Sequence, residues 1–316
     1  MVKRLFTFLL LGVCLCVFTT SCARKPEIVD LKLKLEKGKI YTTTAQMEQK
    51  IEQTIVGRKQ DMDQNMKMKI SYFVEDVNSE GQRTLKMTYD AIRFEQKSPV
   101  GTNVYDSEKE EVDKGIFGQM FAPMVGQAIT MKILENGQVT SVKGFKKIIE
   151  DIVRNIPAKT EQQKKMVKQM ISQQQKSFAG KDTFEQMFKI YPAGPVKVGD
   201  SWESVITMKG NFPLKIKNVY TLKDVRVKRA IIDVKTEIVS AEGMQKFPGM
   251  EQGIMNIDLK GQGHGEMHVN IKSGWIMRSD MEQDISGEIR MAANEQMPEE
   301  MKWPIKMTTK MRMRGK

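Results

Sequence analysis

Alternation of apolar and polar positions dominates the chain from Tyr41 onward. Tyr41, Thr43, Ala45 and Met47 share one side of an extended segment that continues through Ile51 and Ile55. The next stretch, MDQNMKMKISYFVEDV, puts Met62, Met66, Met68, Ile70, Tyr72 and Val74 on one face and Lys67, Lys69 and Ser71 on the other. A period of two marks a strand with one buried face. Met47, Ile51 and Ile55 are also at helical spacing, but the strict alternation of their neighbour and the intervening GRKQ predict a hairpin. A third run, QRTLKMTYDAIRFEQ, alternates Leu85, Met87, Tyr89 and Ala91. Such strands reach roughly 50 Å at the usual rise, far beyond the common length of about 5–6 residues. Strands that long must twist and curl.

Residues 98–127 read as loop with one short apolar piece, GIFGQMFAPMVG, either a lip over a site or a buried insert. AITMKILENGQVTSV predicts a second hairpin on Asn136–Gly137, a pair suited to the positive φ of a tight turn. The middle then changes period. Phe145, Ile148, Ile149, Ile152, Val153 and Ile156 recur at helical spacing and stop at Pro157. Thr160 caps a second helix carrying Met166, Val167, Met170 and Ile171, and DTFEQMFKIYP gives a third that ends before Pro192.

Strands resume, and the chain repeats itself. GDSW at Gly199–Trp202 opens a strand as GKIY does at Gly38–Tyr41. NVYTLKDV matches ISYFVEDV, aligning Tyr220 with Tyr72 and Asp224 with Asp76, and HVNIKSGWI matches MKILENGQV. Three correspondences in the same order suggest a duplication. The expected fold is α+β, predominantly antiparallel β, with long curved strands in two similar meander halves, half-barrel or sandwich-like, and a helical insertion in the middle. The expected divisions are a signal peptide at 1–21, a lipid-anchored tether and first strand at 22–37, a β meander at 38–142, a helical segment at 143–191 and a second meander at 192–316.

The N-terminus supplies an address. Lys3 and Arg4 precede an apolar run from Leu5 to Val17, then small and polar residues up to Cys22, the order of a secretory signal. The run is shorter than the ~20 residues a spanning helix needs. Ser21–Cys22 is similar to the end of a bacterial lipobox, although Thr19 stands where Leu or Val is usual; cleavage after Thr20 or Ser21 without lipidation is the alternative. Cys14 and Cys16 would leave with the leader, and no cysteine follows Cys22, so a disulfide is not its purpose. Ala23 after the cysteine favours the outer membrane, and the lack of an acidic run favours its periplasmic face.

Net charge is +12, two units of it in Lys3 and Arg4, while aromatics make up only 7%. No Lys/Arg cluster is interleaved with stacking aromatics, so nucleic acid is not an expected partner. A lysine-rich solvated face that protects long strands accounts for the excess, as would anionic headgroups or an acidic partner.

Candidate chemistry is sparse. GDSW superficially resembles the start of GDSL-type esterases, which need a histidine base three residues after an acid. Neither His264 nor His268 has that acid, and GKIY lacks the serine, so no catalytic residue and no cofactor is expected. In LKGQGHGEMHVNIK, His264, Glu266 and His268 form a one-sided ladder of potential Zn or Cu ligands, but on the polar face with Asp258, Lys260 and Lys272. Gly261, Gly263 and Gly265 fall on the apolar face, each at a cost of about 0.5–1 kcal/mol in a strand. Either the sheet bends there or bulky groups, protein or ligand, press on bare backbone. Methionine, at 25 residues, repeatedly alternates with Lys or Arg. It fills cores, binds Cu(I) when clustered, or makes an adaptable apolar surface. Met66, Met68, Tyr72 and Tyr220, with the three glycines, are the candidate ligand-binding residues.

Cys22 in its lipobox-like setting, KGKIY, the long strand pair, YDS at Tyr105–Ser107, NGQVTSVKG and VKVGDSW together resemble a family of uncharacterised bacterial lipoproteins, a domain of unknown function (6263). The resemblance implies a secreted β-rich protein and brings no activity. The resulting expectation is a non-enzymatic, lipid-anchored envelope protein holding an apolar ligand or acyl chain. The alternatives are a structural or protein-interaction lipoprotein and a Zn/Cu-binding protein.

Overall fold

The first long hairpin forms as its alternation requires. β1 (Ile40–Ile55) pairs with β2 (Arg58–Val77) along its whole length, turning at Gly57 with φ 71°. The computed structural model describes residues 28–55, 57–109, 115–155, 181–208, 214–240, 244–246, 254–293 and 299–316. β3 (Arg83–Ser98) and β4 (Gly101–Asp106) follow, then a short helix α1 (Ile116–Phe121), β5 (Ala128–Ile133), β6 (Val139–Lys143) and α2 (Phe145–Asn155). After α3 (Lys181–Phe188) come β7 (Ser201–Met208), β8 (Leu214–Arg226), β9 (Arg229–Ser240), β10 (Met244–Lys246), β11 (Ile254–Asn270), β12 (Ile276–Met291) and β13 (Met301–Gly315).

Among the described residues, all the strands belong to one open antiparallel sheet of 13 strands, in the order β6-β5-β3-β2-β1-β13-β12-β11-β9-β8-β7, with β4 on β3 and β10 on β11. β1 and β13 join the two halves of the chain at its centre. The outermost strands, β6 and β7, both contact α3. The expected second helix, with Thr160, Met166 and Met170, lies outside the described residues, as do the leader and Cys22. β4 had no counterpart in the sequence reading of 98–127: GTNVYD is too short and polar to alternate visibly, and its pairing to β3 defines it.

The corresponding segments of the halves share backbone geometry. Gly38 N–H donates to Val74 O, and Gly199 N–H to Leu222 O, both at 2.8–2.9 Å. The register slips after Val74 in β2 and after Leu222 in β8, at the aligned pair Asp76 and Asp224. The two hairpin glycines, Gly137 and Gly274, have φ of 83° and 72°. Each turn presses against backbone, Gly137 on the Phe188 carbonyl and Gly274 on the Lys32 carbonyl, so a side chain fits neither.

The lower ends of the strands are filled. One cluster packs Leu33, Leu35, Tyr72, Met87, Met131, Phe188 and Trp275; a second packs Leu31, Val196, Tyr220, Leu222 and Val269. Between them run residues 29–35, the part of the expected tether and first strand that enters the core. Val29, Leu31, Leu33 and Leu35 are only 0–5% exposed. Val29 N–H bonds to Val196 O, Leu33 N–H to Glu135 O and Lys34 N–H to Ser273 O, so the segment crosses the base and touches both hairpins. Alternation from Val29 to Leu35 produces this: one face is leucine-rich, the other carries Asp30, Lys32 and Lys34. Arg83, 5% exposed, reaches the Leu35 carbonyl and Glu135, each at 3.2 Å, and so satisfies its buried guanidinium.

Candidate functional site

Above the filled base, cross-strand register sorts the inner face into rows. Directly paired residues point to the same side of the sheet. One row reads Trp202, Tyr220, Val234, Gly265, Met281, Met311, Met47, Met66, Phe94 and Tyr105 from β7 to β4. Four residues further up the strands, another reads Ile206, Ile216, Ile238, Gly261, Ile285, Met307, Ile51 and Met62. The first row is packed toward both ends, with Tyr220 and Val234 at 3% and Phe94 at 5% exposure, and the second toward β9, with Ile238 at 2%. Their centre, on β2, β1, β13 and β12, stays half-buried: Met47, Met66, Met281, Met311, Ile51, Met62, Met307 and Ile285.

Between the two apolar rows lies a polar one without a charge. It reads Ser204, Asn218, Thr236, Gly263, Gln283, Thr309, Gln49, Gln64 and Gln96 across nine strands. Gln49 Nε2 donates to Thr309 Oγ1 at 3.1 Å, Gln64 Nε2 to Gln96 Oε1 at 3.3 Å, and Thr236 Oγ1 to Asn218 Oδ1 at 2.8 Å. The Tyr220 hydroxyl sits beside Ser204 and Asn218, yet Ser204 Oγ is buried with no partner in hydrogen-bond geometry. The charged residues of these strands face outward. There Arg314 and Arg278 grip Asp280, and Arg312 reaches Glu48 at 3.0 Å.

The glycines of β11 fall one to a row. A β-carbon at Gly261 would meet Ile285 Cγ1 at 2.7 Å, and one at Gly263 would meet Gln283 Cγ at 2.7 Å. At Gly265 it would strike the Met281 sulfur and the Asp280 carbonyl. Bare backbone is therefore needed because β12 carbonyls and side chains crowd it, the protein-side form of the two explanations left open by the sequence.

The other candidates divide. Met66 packs beside Phe94, Tyr105 and Phe121, and Met68 touches both that cluster and the basal core. Tyr72 and Tyr220, expected to line a ligand surface, are 1% and 3% exposed inside the two basal clusters. Tyr72 meets Phe188 and Trp275 edge-on, and Tyr220 stacks on Trp202. A small cavity of about 20 Å³ lies there among Tyr72, Phe188, Tyr191, Trp275 and Met313. In GIFGQMFAPMVG, buried Phe121 and half-buried Phe117 pack on Phe94, while Met120 stays exposed.

His264, Glu266 and His268 share the outer face, but their contacts are those of a surface ion-pair network. Glu266 accepts from His268 Nε2 at 2.8 Å and from Lys223 Nζ at 3.1 Å, and these bonds hold its carboxyl below the usual range. His264 is exposed, and among the described residues no cluster of three or more His, Cys, Asp or Glu is disposed to hold a metal. Ser201 of GDSW bonds Thr221 Oγ1 at 2.8 Å on the surface. A groove of about 570 Å³ lies on the outer face between Glu48, Lys50, Glu52, Asp63, Lys97 and Lys306, where both charge signs alternate.

Sequence reasoning missed the polar row, although a signal existed. A five-residue pattern, apolar–x–neutral polar–x–apolar, recurs as MEQKI (47–51), MDQNM (62–66), WESVI (202–206), IKNVY (216–220), VKTEI (234–238), MEQDI (281–285) and MTTKM (307–311). Its members become neighbours only once register is known.

Residues 80–276, more than half of the chain, match the profile of a family of unknown function (DUF6263). No curated protein matches the sequence. Among solved structures, one of lipovitellin, describing its lipid–protein interactions, aligns at TM-score 0.43 with 9% identity over 89% of this chain and 25% of that one. This chain thus spans about a quarter of the lipovitellin chain. The COG4313 outer membrane channel from Pseudomonas putida F1 aligns at TM-score 0.24 with 8% identity over 89% of this chain and 97% of that one.

Proposed function

We propose that this chain, which belongs to the family of unknown function DUF6263, is a non-enzymatic envelope protein that holds an apolar ligand against the inner face of its sheet. In this reading the sheet acts as a half-barrel. Its base is a packed floor and its upper face is the holding surface. One observation carries the reading: the methionine and isoleucine rows keep half-buried centres, while Met87 on β3 and Met131 on β5, in the basal core, are 0% exposed. An apolar surface left partly open over four strands gains free energy when hydrocarbon covers it, at about 25 cal/mol per Å². Unbranched methionine lets the surface adapt to chains of different shape.

The anchor completes the proposal. Acylated Cys22 would be followed by only Ala23–Ile28 before Val29 enters the base, so the floor would lie within about 25 Å of the bilayer surface at ~3.5 Å per extended residue. The holding face would point away from that membrane, suited to receiving a ligand from, or passing it to, another envelope component.

Native mass spectrometry of the chain purified from bacterial envelopes, followed by lipid extraction, tests the reading. Retained apolar ligand, lost in a Met47→Glu/Met311→Glu variant, is the expected result. A ligand-free protein that also refuses the apolar probe N-phenyl-1-naphthylamine contradicts it.

A further inference from the structure

The neutral polar row deepens this reading and rests on it. We propose that the row is a hydrogen-bonding subsite for the uncharged ester or amide linkage of a long-chain lipid, whose hydrocarbon lies along the strands on both sides of it. The geometry is a sandwich in the plane of the sheet. Polar and apolar rows are two residues apart, roughly 6.7 Å at the usual strand rise. A chain laid along β1 would cross Met47, then Gln49, then Ile51, and along β12 Met281, then Gln283, then Ile285.

Chemistry narrows the occupant. A pure hydrocarbon covering this face would strip water from amides and hydroxyls and return nothing, a cost of about 1–3 kcal/mol for each group left unpaired. A free fatty acid would bring a carboxylate to rows that contain no Lys, Arg or His. A carbonyl linkage meets both demands, since glutamine N–H and Thr or Ser O–H donate to it. The row has capacity to spare: Gln49 gives one N–H to Thr309 and keeps a second, and Gln49, Gln64 and Gln283 remain half-buried. A row built only to tie strands together would leave no such spare donors half-exposed at its centre.

The test is a competition among three ligands presented from cyclodextrin to the full-length chain: hexadecyl palmitate, the alkane of matched length, and palmitate. The ester should bind on the order of tenfold more tightly than either of the others, the yield of one or two net hydrogen bonds. The double variant Gln49→Leu/Gln283→Leu should lose that preference while binding the alkane at least as well as before, which also shows that it is folded. Equal binding of ester and alkane, a preference for palmitate, or an unchanged preference in the variant overturns the subsite and leaves the apolar-ligand reading standing. Failure of all three ligands to bind overturns that reading itself.

Discussion

Met281 lies over Gly265, its sulfur standing where a β-carbon on that glycine would be. The Asp280 carbonyl shares the space. The glycine is thus a consequence of how closely β12 coils over β11, and its neighbours Gly263 and Gly261 stand in the same relation to Gln283 and Ile285. Gly265→Ala should lower stability by about 1–3 kcal/mol through overpacking, read as a lower urea midpoint. Adding Met281→Ala should not restore it, because the backbone carbonyl cannot withdraw as a side chain can.

The segment crossing the base acts as core. Leu33 is 0% exposed between the two hairpins, so Leu33→Ala should cost about 2–5 kcal/mol. Ile28, 67% exposed just before it, should tolerate alanine within roughly 0.5 kcal/mol. Paired denaturation curves check both; equal midpoints for the two variants would return this segment to the status of a tether.

Acid should loosen the centre of the sheet. Burial works to raise the Asp280 carboxyl, but the Arg278 and Arg314 guanidiniums, the latter at 2.8 Å, outweigh it and hold the value below the ordinary 3.8. A carboxylate with a depressed folded value contributes stability that is complete above its unfolded value and lost as pH falls through the folded one. Asp280→Asn should therefore destabilise at neutral pH, by about 1 kcal/mol or less for a pair this accessible. The difference from the parent should close well below pH 3.8.

Alkali should act at the base. Desolvation raises the phenols of Tyr72 and Tyr191 far above the ordinary 10.0, and Tyr191 also donates to the Gly274 carbonyl at 2.9 Å. Both stay neutral in the folded chain after the unfolded chain has begun to ionise, so stability falls as pH rises above 10.0. Absorbance at the phenolate band should show these tyrosines ionising together with unfolding. Their ionisation in a chain that keeps its native circular dichroism would contradict the packing described at Trp275 and Phe188.

Much of this architecture was legible from period alone. Alternation in β1, β2 and β3 and the Asn136–Gly137 turn give the first meander, and the Tyr72/Tyr220 and Asp76/Asp224 alignment anticipates matching strands and bulges. Tyr72 and Tyr220 share the apolar face that the pattern marks, yet lie in the packed floor. A strand pattern tells which face a residue occupies but not how far along it the packed floor extends. The rows failed to appear for a related reason: Gln49 and Thr309 meet only because β1 pairs with β13 in one register, and a slip of one residue would reverse every side chain. No local property of either segment encodes that register.

The most direct measurement uses methyl-labelled methionine. In spectra of the chain titrated with hexadecyl palmitate, the methyl signals of Met47, Met66, Met281 and Met311 should move in proportion to occupancy, while those of Met87 and Met131 in the basal core hold still. Stationary signals from the four row methionines at saturating ligand, or movement confined to the basal pair, would contradict the holding surface.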